Sequence, residues 1–472
     1  MMIFKLLENF DFGLLLITIL ITCVAHYYYK YFTRVNPLPD PFPFPFIGYF
    51  PYIYWFNRDY NKFYSYCNKK YGDLYEIYGS MRPIVLCRGE YLNDFLSKNT
   101  HEIRFRNCKG AEELGFAGKG LMLNSDYKSW TFNHHLFNQA ILSPKFTDEA
   151  IDHTNKLFNE LEIYWSKRSY SMAAYFDTLS NEKSDHQSAR VINSVKLFQA
   201  LPNDVLQGME FINQKLNAII KSRRQEIEEK PLDEHLPHDM LTSMIIKNTL
   251  RDDNYIETGE ATRPMTDTEI RVNILDGIFT GTYKIGNMLS FIVYYIAHNP
   301  DVKKKMLKEI DSIFQDDKMR PITKDDFYSL SYCEAIVKEV ARIHPVIHLL
   351  TRYIDKPNKV AEYHWPADSL FLINVKSVHN NDDYWEEPNK FNPDRWIVKN
   401  FEPKKGSFLM FGGGLRLCPG RKLATIELVC LIALLFRKYE IDLVDMNTPI
   451  KTTNSGTMVL CVDLLVEIKP RN

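Results

Sequence analysis

The sequence predicts a mainly α fold with small β-sheets, built as a single large domain behind an N-terminal transmembrane anchor. Three observations point there. Long helical patterns dominate the middle and end of the chain, strand-like runs are few and short, and one strongly apolar segment stands near the N-terminus. With 472 residues, 45% hydrophobic and 14% aromatic, the chain can bury one large core or two domains. No internal repeat or low-complexity tract divides it.

The anchor is read at residues 1–35. Phe12 to Ala25 is apolar, and His26-Tyr-Tyr-Tyr29 follows like an interfacial aromatic belt. Helical geometry gives the stretch from Phe12 to Tyr29 a length of roughly 27 Å, enough for a thin bilayer of the endoplasmic reticulum type. A cleaved signal peptide is the competing reading, because Cys23 and Ala25 are small residues spaced like a cleavage site. Against cleavage, Lys5 is offset by Glu8 and Asp11, whereas Lys30 and Arg34 lie downstream and place the large domain on the cytosolic side.

Residues 36–48 carry alternating prolines, Pro37, Pro39, Pro41, Pro43 and Pro45, which favour a stiff extended connector over helix. A ligand for a polyproline-binding domain is the alternative. The intervening phenylalanines, expected to pack on a core, disfavour it. The globular domain is then 49–472.

Strand-like runs fall at Leu74–Tyr78, Arg82–Cys87 and Leu370–Val375. A capping box, Thr266-Asp-Thr-Glu269, opens a long central helix that reaches Asn299 before Pro300 starts the next. From Cys333 to Pro345 a second helix places Glu339 and Arg342 one turn apart on one face. From Lys422 to Phe436 the chain reads as a buried helix.

Ahead of that buried helix stands Phe411-Gly-Gly-Gly414-Leu-Arg416-Leu-Cys418-Pro-Gly420. Glycines remove the side chains that would keep backbone N–H groups from a metal-bound sulfur, and the helix N-terminus favours a thiolate. Arg416 supplies a fixed positive charge for an anionic group such as a haem propionate. An inert buried cysteine beside a glycine turn is the plainer reading. At about 5% per position, five fixed positions match by chance about once in ten thousand chains of this length.

The stretch resembles the haem-binding signature of the cytochrome P450 family, F-x-x-G-x-R-x-C-x-G, with every fixed position met. The resemblance covers almost the whole chain from the proline-rich segment onward, and the proline segment itself resembles the hinge of membrane-bound members. It implies that Cys418 is the axial ligand of haem b iron, within a loop formed by Phe411, Gly414 and Gly420. It further implies that Arg416, Trp130, His134 and Arg352 bind the propionates, His134 standing where the family's W-x-x-x-R pattern has arginine. Glu339, Arg342 and Arg395, the last in Phe391-Asn-Pro393-Asp-Arg395-Trp396, match a buried ion network under the loop that is structural rather than catalytic.

By the same resemblance, the activity is insertion of one atom of O2 into a lipophilic small molecule, the thiolate favouring O–O cleavage. Electrons then come from NADPH through a separate flavoprotein reductase, with cytochrome b5 as a further partner. This chain has no G-x-G-x-x-G fingerprint of its own. The implied setting is the endoplasmic reticulum membrane, single-pass, with the catalytic domain facing the cytosol.

The central helix departs from the family pattern A-G-x-D-T-T, reading Thr280-Gly281-Thr282-Tyr283-Lys284-Ile285. Gly281 is kept, which allows the helix to widen locally. Tyr283 replaces the acid and Lys284 the principal threonine, so the usual proton relay is missing. The catalytic candidates are Lys284, Thr282, Thr280 and Gly281. Lys284 serves as proton donor if burial lowers its pKa, points away, or caps the iron as a sixth ligand. Two other functions stay open: an oxygen-independent isomerase or peroxide-using enzyme, and a non-catalytic haem or ligand-binding protein.

A net charge of −1 and pI of about 6.9 give no overall basic field for nucleic acid or acidic lipid. Eight cysteines without metal-ligand spacing or disulfide density fit a reducing compartment. Only about 56 residues separate Phe146 from Asn203, and 181–188 reads as loop, so part of the substrate roof is expected to be reduced.

Overall fold

A computed structural model describes residues 12–471 except 80–81, 99–117, 123, 125, 142–145, 166–202, 238, 253–262, 316, 355, 456 and 463. The reading of 181–188 as loop and most of the 147–203 interval lie outside the described residues. The longer helices are α1 (Phe12–Phe32), α2 (Tyr60–Tyr71), α3 (Gly89–Lys98), α4 (Tyr127–Ile141), α5 (Phe146–Trp165), α6 (Asn203–Glu229), α7 (Asp267–Ala297), α8 (Pro300–Phe314), α9 (Ser331–Ile343) and α10 (Arg421–Lys438).

Within α1, Gly13–Phe32 is long and apolar enough to cross a membrane, and Leu14, Leu16, Ile17, Leu20 and Ile21 are 55–63% exposed. Its far end is tied down by charge. Arg34 pairs with Glu76, with Asp40 at 3.0 Å and with the carbonyl of Tyr31 at 2.6 Å, while Arg82 donates to Glu76 at 2.6 Å and to the Asn36 carbonyl at 2.9 Å. The proline segment is therefore held against the domain. Its phenylalanines do not enter the core: Phe42 and Phe46 stay 53% and 60% exposed, because Phe42 packs on Tyr28 and Tyr31 of α1 and Phe46 on Tyr27.

The strands are short. β1 (Leu74–Glu76), β2 (Ile84–Leu86), β3 (Leu349–Tyr353) and β6 (Leu370–Asn374) form one sheet in the order β1-β2-β6-β3, with β2 parallel and β3 antiparallel to β6. The three strand-like runs of the sequence all join this sheet. Separate hairpins pair β4 (Asn358–Val360) with β5 (Tyr363–Trp365) and β8 (Lys451–Ser455) with β9 (Met458–Val462), and β7 (Tyr439–Leu443) pairs with β10 (Val466–Pro470). The architecture is mainly α with small sheets.

The helical core gathers around α7, α9 and α10. Leu289, Phe291 and Ile292 of α7 share a cluster with Ile336 and Val340 of α9 and Val429, Ile432 and Leu435 of α10. Burial of each such side chain contributes about 1.5–3 kcal/mol. The capping box that opens α7 is formed as its sequence implies: Thr266 N–H donates to Glu269 Oε2 at 2.9 Å and Glu269 N–H to Thr266 Oγ1 at 3.3 Å. Pro300 stands at the first position of α8 and closes the register behind α7. From Ile426 to Arg437, α10 is buried at every position except Glu427. Its N-terminus is thereby fixed in the middle of the fold.

Candidate active site

The cysteine loop hangs from that fixed end. Cys418 N–H donates to the Phe411 carbonyl at 2.9 Å, closing the loop across the short 3-10 turn Gly414–Arg416. Gly414 is at φ +69°, and a Cβ there would come within 2.2 Å of the Leu96 carbonyl oxygen of α3. No side chain fits that close approach. At Gly420 a Cβ would lie 4.0 Å from the Cys418 sulfur, and the Gly420 N–H lowers the thiol's pKa by hydrogen bonding. Burial nevertheless pushes the Cys418 thiol above its usual value, with Lys284, the Gly420 N–H and Arg421 opposing it.

Arg416 leaves the same turn to meet α4. Its guanidinium sits 3.9 Å from the Trp130 ring centroid and donates to the carbonyls of Leu121 at 3.4 Å and Asn124 at 3.0 Å. His134 stacks on Trp130 at 4.5 Å, 23° from parallel. Burial lowers the pKa of His134, and Arg416 and Arg421 lower it further, so the imidazole is neutral at physiological pH. Three of the residues assigned to propionate binding, Arg416, Trp130 and His134, thus stand together.

Arg352 of β3 is 4% exposed, donates Nη1 to the Thr351 carbonyl at 2.9 Å, and leaves Nε buried with no hydrogen-bond partner among the described residues. Burial pulls it down to about 10. A buried cation without an acid partner is costly, and an anionic ligand removes the cost. The donor set fits haem: a thiol approached by a backbone N–H, and buried or stacked cations for carboxylates.

Behind the loop, Glu339, Arg342 and Arg395 are joined as one network. Arg342 donates to Glu339 at 2.9 and 2.8 Å, Arg395 at 3.2 Å, the Trp396 indole at 2.8 Å and the Asn392 N–H at 3.0 Å. The second face of Arg342 is spent on the carbonyls of His379, Pro388 and Lys390.

The central helix is regular α throughout Asp267–Ala297, without local widening at Gly281, where a Cβ would meet nothing within 4 Å. Thr280 donates to the Asp276 carbonyl at 2.6 Å and Thr282 to the Ile278 carbonyl at 2.9 Å, so each hydroxyl proton is turned back onto its own helix. Lys284 and Cys418 are near enough for the charge of each to act on the other. Burial lowers the pKa of Lys284, while the charge of Cys418 and that of Asp276 raise it. Asp276 is a residue the sequence reading missed: it is 2% exposed and accepts the N–H groups of Leu121 at 2.6 Å and Met122 at 2.9 Å. The available signal was its spacing, four residues before Thr280 and eight before Lys284.

A helical fold with a cysteine-bearing glycine loop at the foot of a buried helix, facing a second long helix, defines the class: a haem-thiolate fold. The cytochrome P450 family model matches residues 37–162 and 154–470, and the chain belongs to that family. Family membership implies a haem iron cofactor, and the family's general chemistry is monooxygenation.

The rat mitochondrial 1,25-dihydroxyvitamin D(3) 24-hydroxylase is 30% identical over 185 residues, 39% of this chain and 35% of the rat enzyme. The matched stretch thus spans about a third of that relative's length. A probable cytochrome P450 4aa1 of Drosophila melanogaster is 24% identical over 433 residues, covering 85% of this chain and 83% of the fly protein. The cytochrome P450DA heme domain superposes with a TM-score of 0.79 at 16% identity, covering 93% of this chain and 99% of that one. At that identity the likeness establishes the fold alone.

Proposed function

We propose that the chain is a membrane-anchored haem-thiolate monooxygenase acting on a lipophilic small molecule, with Cys418 as the iron ligand. The observation that carries this reading is the Cys418 loop, where Gly414 permits the close approach to Leu96 and Gly420 leaves its N–H to the sulfur. When bound, haem supplies the oxidising chemistry that inserts one oxygen atom of O2 into the substrate. The protein supplies position and charge. Arg352 and the Arg416–Trp130–His134 stack hold the propionates, the Glu339–Arg342–Arg395 network keeps the loop's underside rigid, and Lys284 holds a proton at Nζ on the opposite wall. The hydroxyls of Thr280 and Thr282 shape that wall rather than feed it protons.

Electrons come from NADPH through a separate flavoprotein reductase, with cytochrome b5 as an auxiliary donor. Residues 1–35 are the anchor, 36–48 the hinge and 49–472 the catalytic domain, in the endoplasmic reticulum membrane and facing the cytosol. Exposed apolar side chains along α1, with Lys30 in its last turn and Arg34 beyond its end, support this orientation.

Optical spectra of the purified chain test the reading: ferric, then reduced with and without carbon monoxide. A strongly red-shifted Soret band with carbon monoxide is expected. A nitrogen-type low-spin ferric spectrum that resists carbon monoxide means Lys284 caps the iron and turnover is lost, which favours the non-catalytic reading. A chain that shows the red-shifted band yet forms product only from peroxides, without reductase, is the oxygen-independent enzyme.

A further inference from the structure

His379 closes the short helix Val375–His379 and is fully buried. Both of its ring nitrogens have partners, and the partners belong to two different parts of the site. Nδ1 lies 3.2 Å from the Ala341 carbonyl of α9, and Nε2 accepts the Leu409 N–H at 2.7 Å. A carbonyl can only accept and an amide N–H can only donate, so the ring proton sits on Nδ1 and the lone pair on Nε2. Burial, aided by the charge of Arg342, pulls the ring down to about 3 against the hydrogen bond to Ala341, so this neutral form holds at physiological pH.

Leu409 stands at the entry to the cysteine loop. Its carbonyl accepts the Gly412 N–H at 2.9 Å, and Cys418 N–H then closes the loop on the Phe411 carbonyl, also at 2.9 Å. Two backbone hydrogen bonds therefore lead from the residue that the imidazole holds to the cysteine. On its other side, His379 is gripped by the buried ion network. Arg342, bonded to Glu339, donates Nη1 to the His379 carbonyl at 3.0 Å. A second contact runs alongside: Phe408 stacks on the His379 ring at 5.2 Å and meets Trp396 at 4.7 Å, and the Trp396 indole donates to Glu339.

We propose that His379 is a positioning residue for Cys418: its imidazole ties the entry of the cysteine loop to α9 and so fixes where the loop presents the sulfur. This rests on the reading of Cys418 as the iron ligand. The rigidity of the Glu339–Arg342 pair reaches the loop by way of His379, whose carbonyl belongs to the network and whose ring belongs to the loop. Removing the imidazole strips the buried Leu409 N–H of this acceptor, and a segment with such an amide opens more readily to water.

Three variants of the full chain test the proposal. A glutamine side chain can put an oxygen where Nε2 stands and keep an acceptor for Leu409, asparagine reaches only the Nδ1 position, and phenylalanine keeps the ring and its stack on Phe408 without either bond. In the haem-free chain, amide hydrogen exchange over 409–418 is expected to run about tenfold faster or more in His379→Asn and His379→Phe, and to stay within about twofold of wild type in His379→Gln. In the haem-loaded chain, the red-shifted carbon monoxide band reports the bound thiolate. Its conversion to an unshifted band is expected to quicken by a similar factor in His379→Asn and His379→Phe, and not in His379→Gln. Unchanged rates in His379→Phe overturn the proposal, as does a His379→Gln chain that loses the loop or the fold as fully as His379→Asn. Exchange that accelerates equally in α9, α10 and the loop also overturns it, because global loosening is not positioning. A wild-type chain without the red-shifted band refutes the thiolate reading, while exchange in the haem-free loop still decides this one.

Discussion

Arg342 and Glu339 meet one turn apart on α9 through hydrogen bonds of 2.9 and 2.8 Å, with both side chains fully closed to solvent. Among the described residues Glu339 accepts from five N–H donors, and Arg342 carries three further bonds to backbone carbonyls. Breaking such a pair leaves a buried charge uncompensated, at a cost of about 3–5 kcal/mol. Arg342→Met is therefore expected to lower the urea unfolding free energy by that amount. Arg395→Gln leaves Glu339 its other donors and is expected to cost about 1 kcal/mol. Equal losses for the two variants would show that Arg342 is not the centre of the network.

Arg352 makes the opposite kind of case. Its guanidinium is buried and its Nε has no hydrogen-bond partner among the described residues, so the haem-free protein bears the desolvation cost. Arg352→Met is expected to raise the apo-protein's unfolding free energy by about 1–2 kcal/mol, and to speed transfer of haem to a scavenger such as apomyoglobin. Stabilisation without faster haem loss would remove Arg352 from propionate binding.

The fold was legible because its signals are local. The capping box at Thr266, the prolines at 300 and 345 and the unbroken apolar run of α10 act within a few residues of themselves. The cysteine loop was legible for the same reason, being ten consecutive positions. What the sequence hid is long-range: Arg416 on Trp130 spans 286 positions, and Asp276 reaches Leu121 across 155. The threonines misled in another way. A hydroxyl in a helix can face the pocket or its own i−4 carbonyl, and composition does not choose between them.

Gly414 and Gly420 carry the same residue type for different reasons, and substitution separates them. Gly414→Ala meets the Leu96 carbonyl oxygen at 2.2 Å from a left-handed backbone, so α3 or the loop must move. Haem content of the purified variant is expected to fall at least tenfold. Gly420→Ala finds its nearest atom at 4.0 Å and keeps φ at −77°. It is expected to retain haem and alter only the position of the Soret band. Full haem content in Gly414→Ala would show that the close approach is dispensable.

Acid sensitivity should report on a site remote from the haem pocket. Asp326, in the capping box with Thr323, accepts that residue's N–H and hydroxyl, both at 2.8 Å, and a two-pronged contact from Arg320 at 2.5 and 2.9 Å. Burial alone would raise the carboxyl; Arg320 and Thr323 outweigh it and lower it to about 2, from an ordinary 3.8. Because the folded value lies below the unfolded one, the contribution is fully present above pH 4 and is lost as pH falls through about 2. A shift of this size corresponds to about 2 kcal/mol. Asp326→Asn is expected to be destabilised by about that amount at pH 7, with the gap to wild type closing steadily between pH 4 and 2. A gap that is the same at pH 7 and at pH 2 would mean that the cap works through shape alone and that ionisation of Asp326 adds nothing.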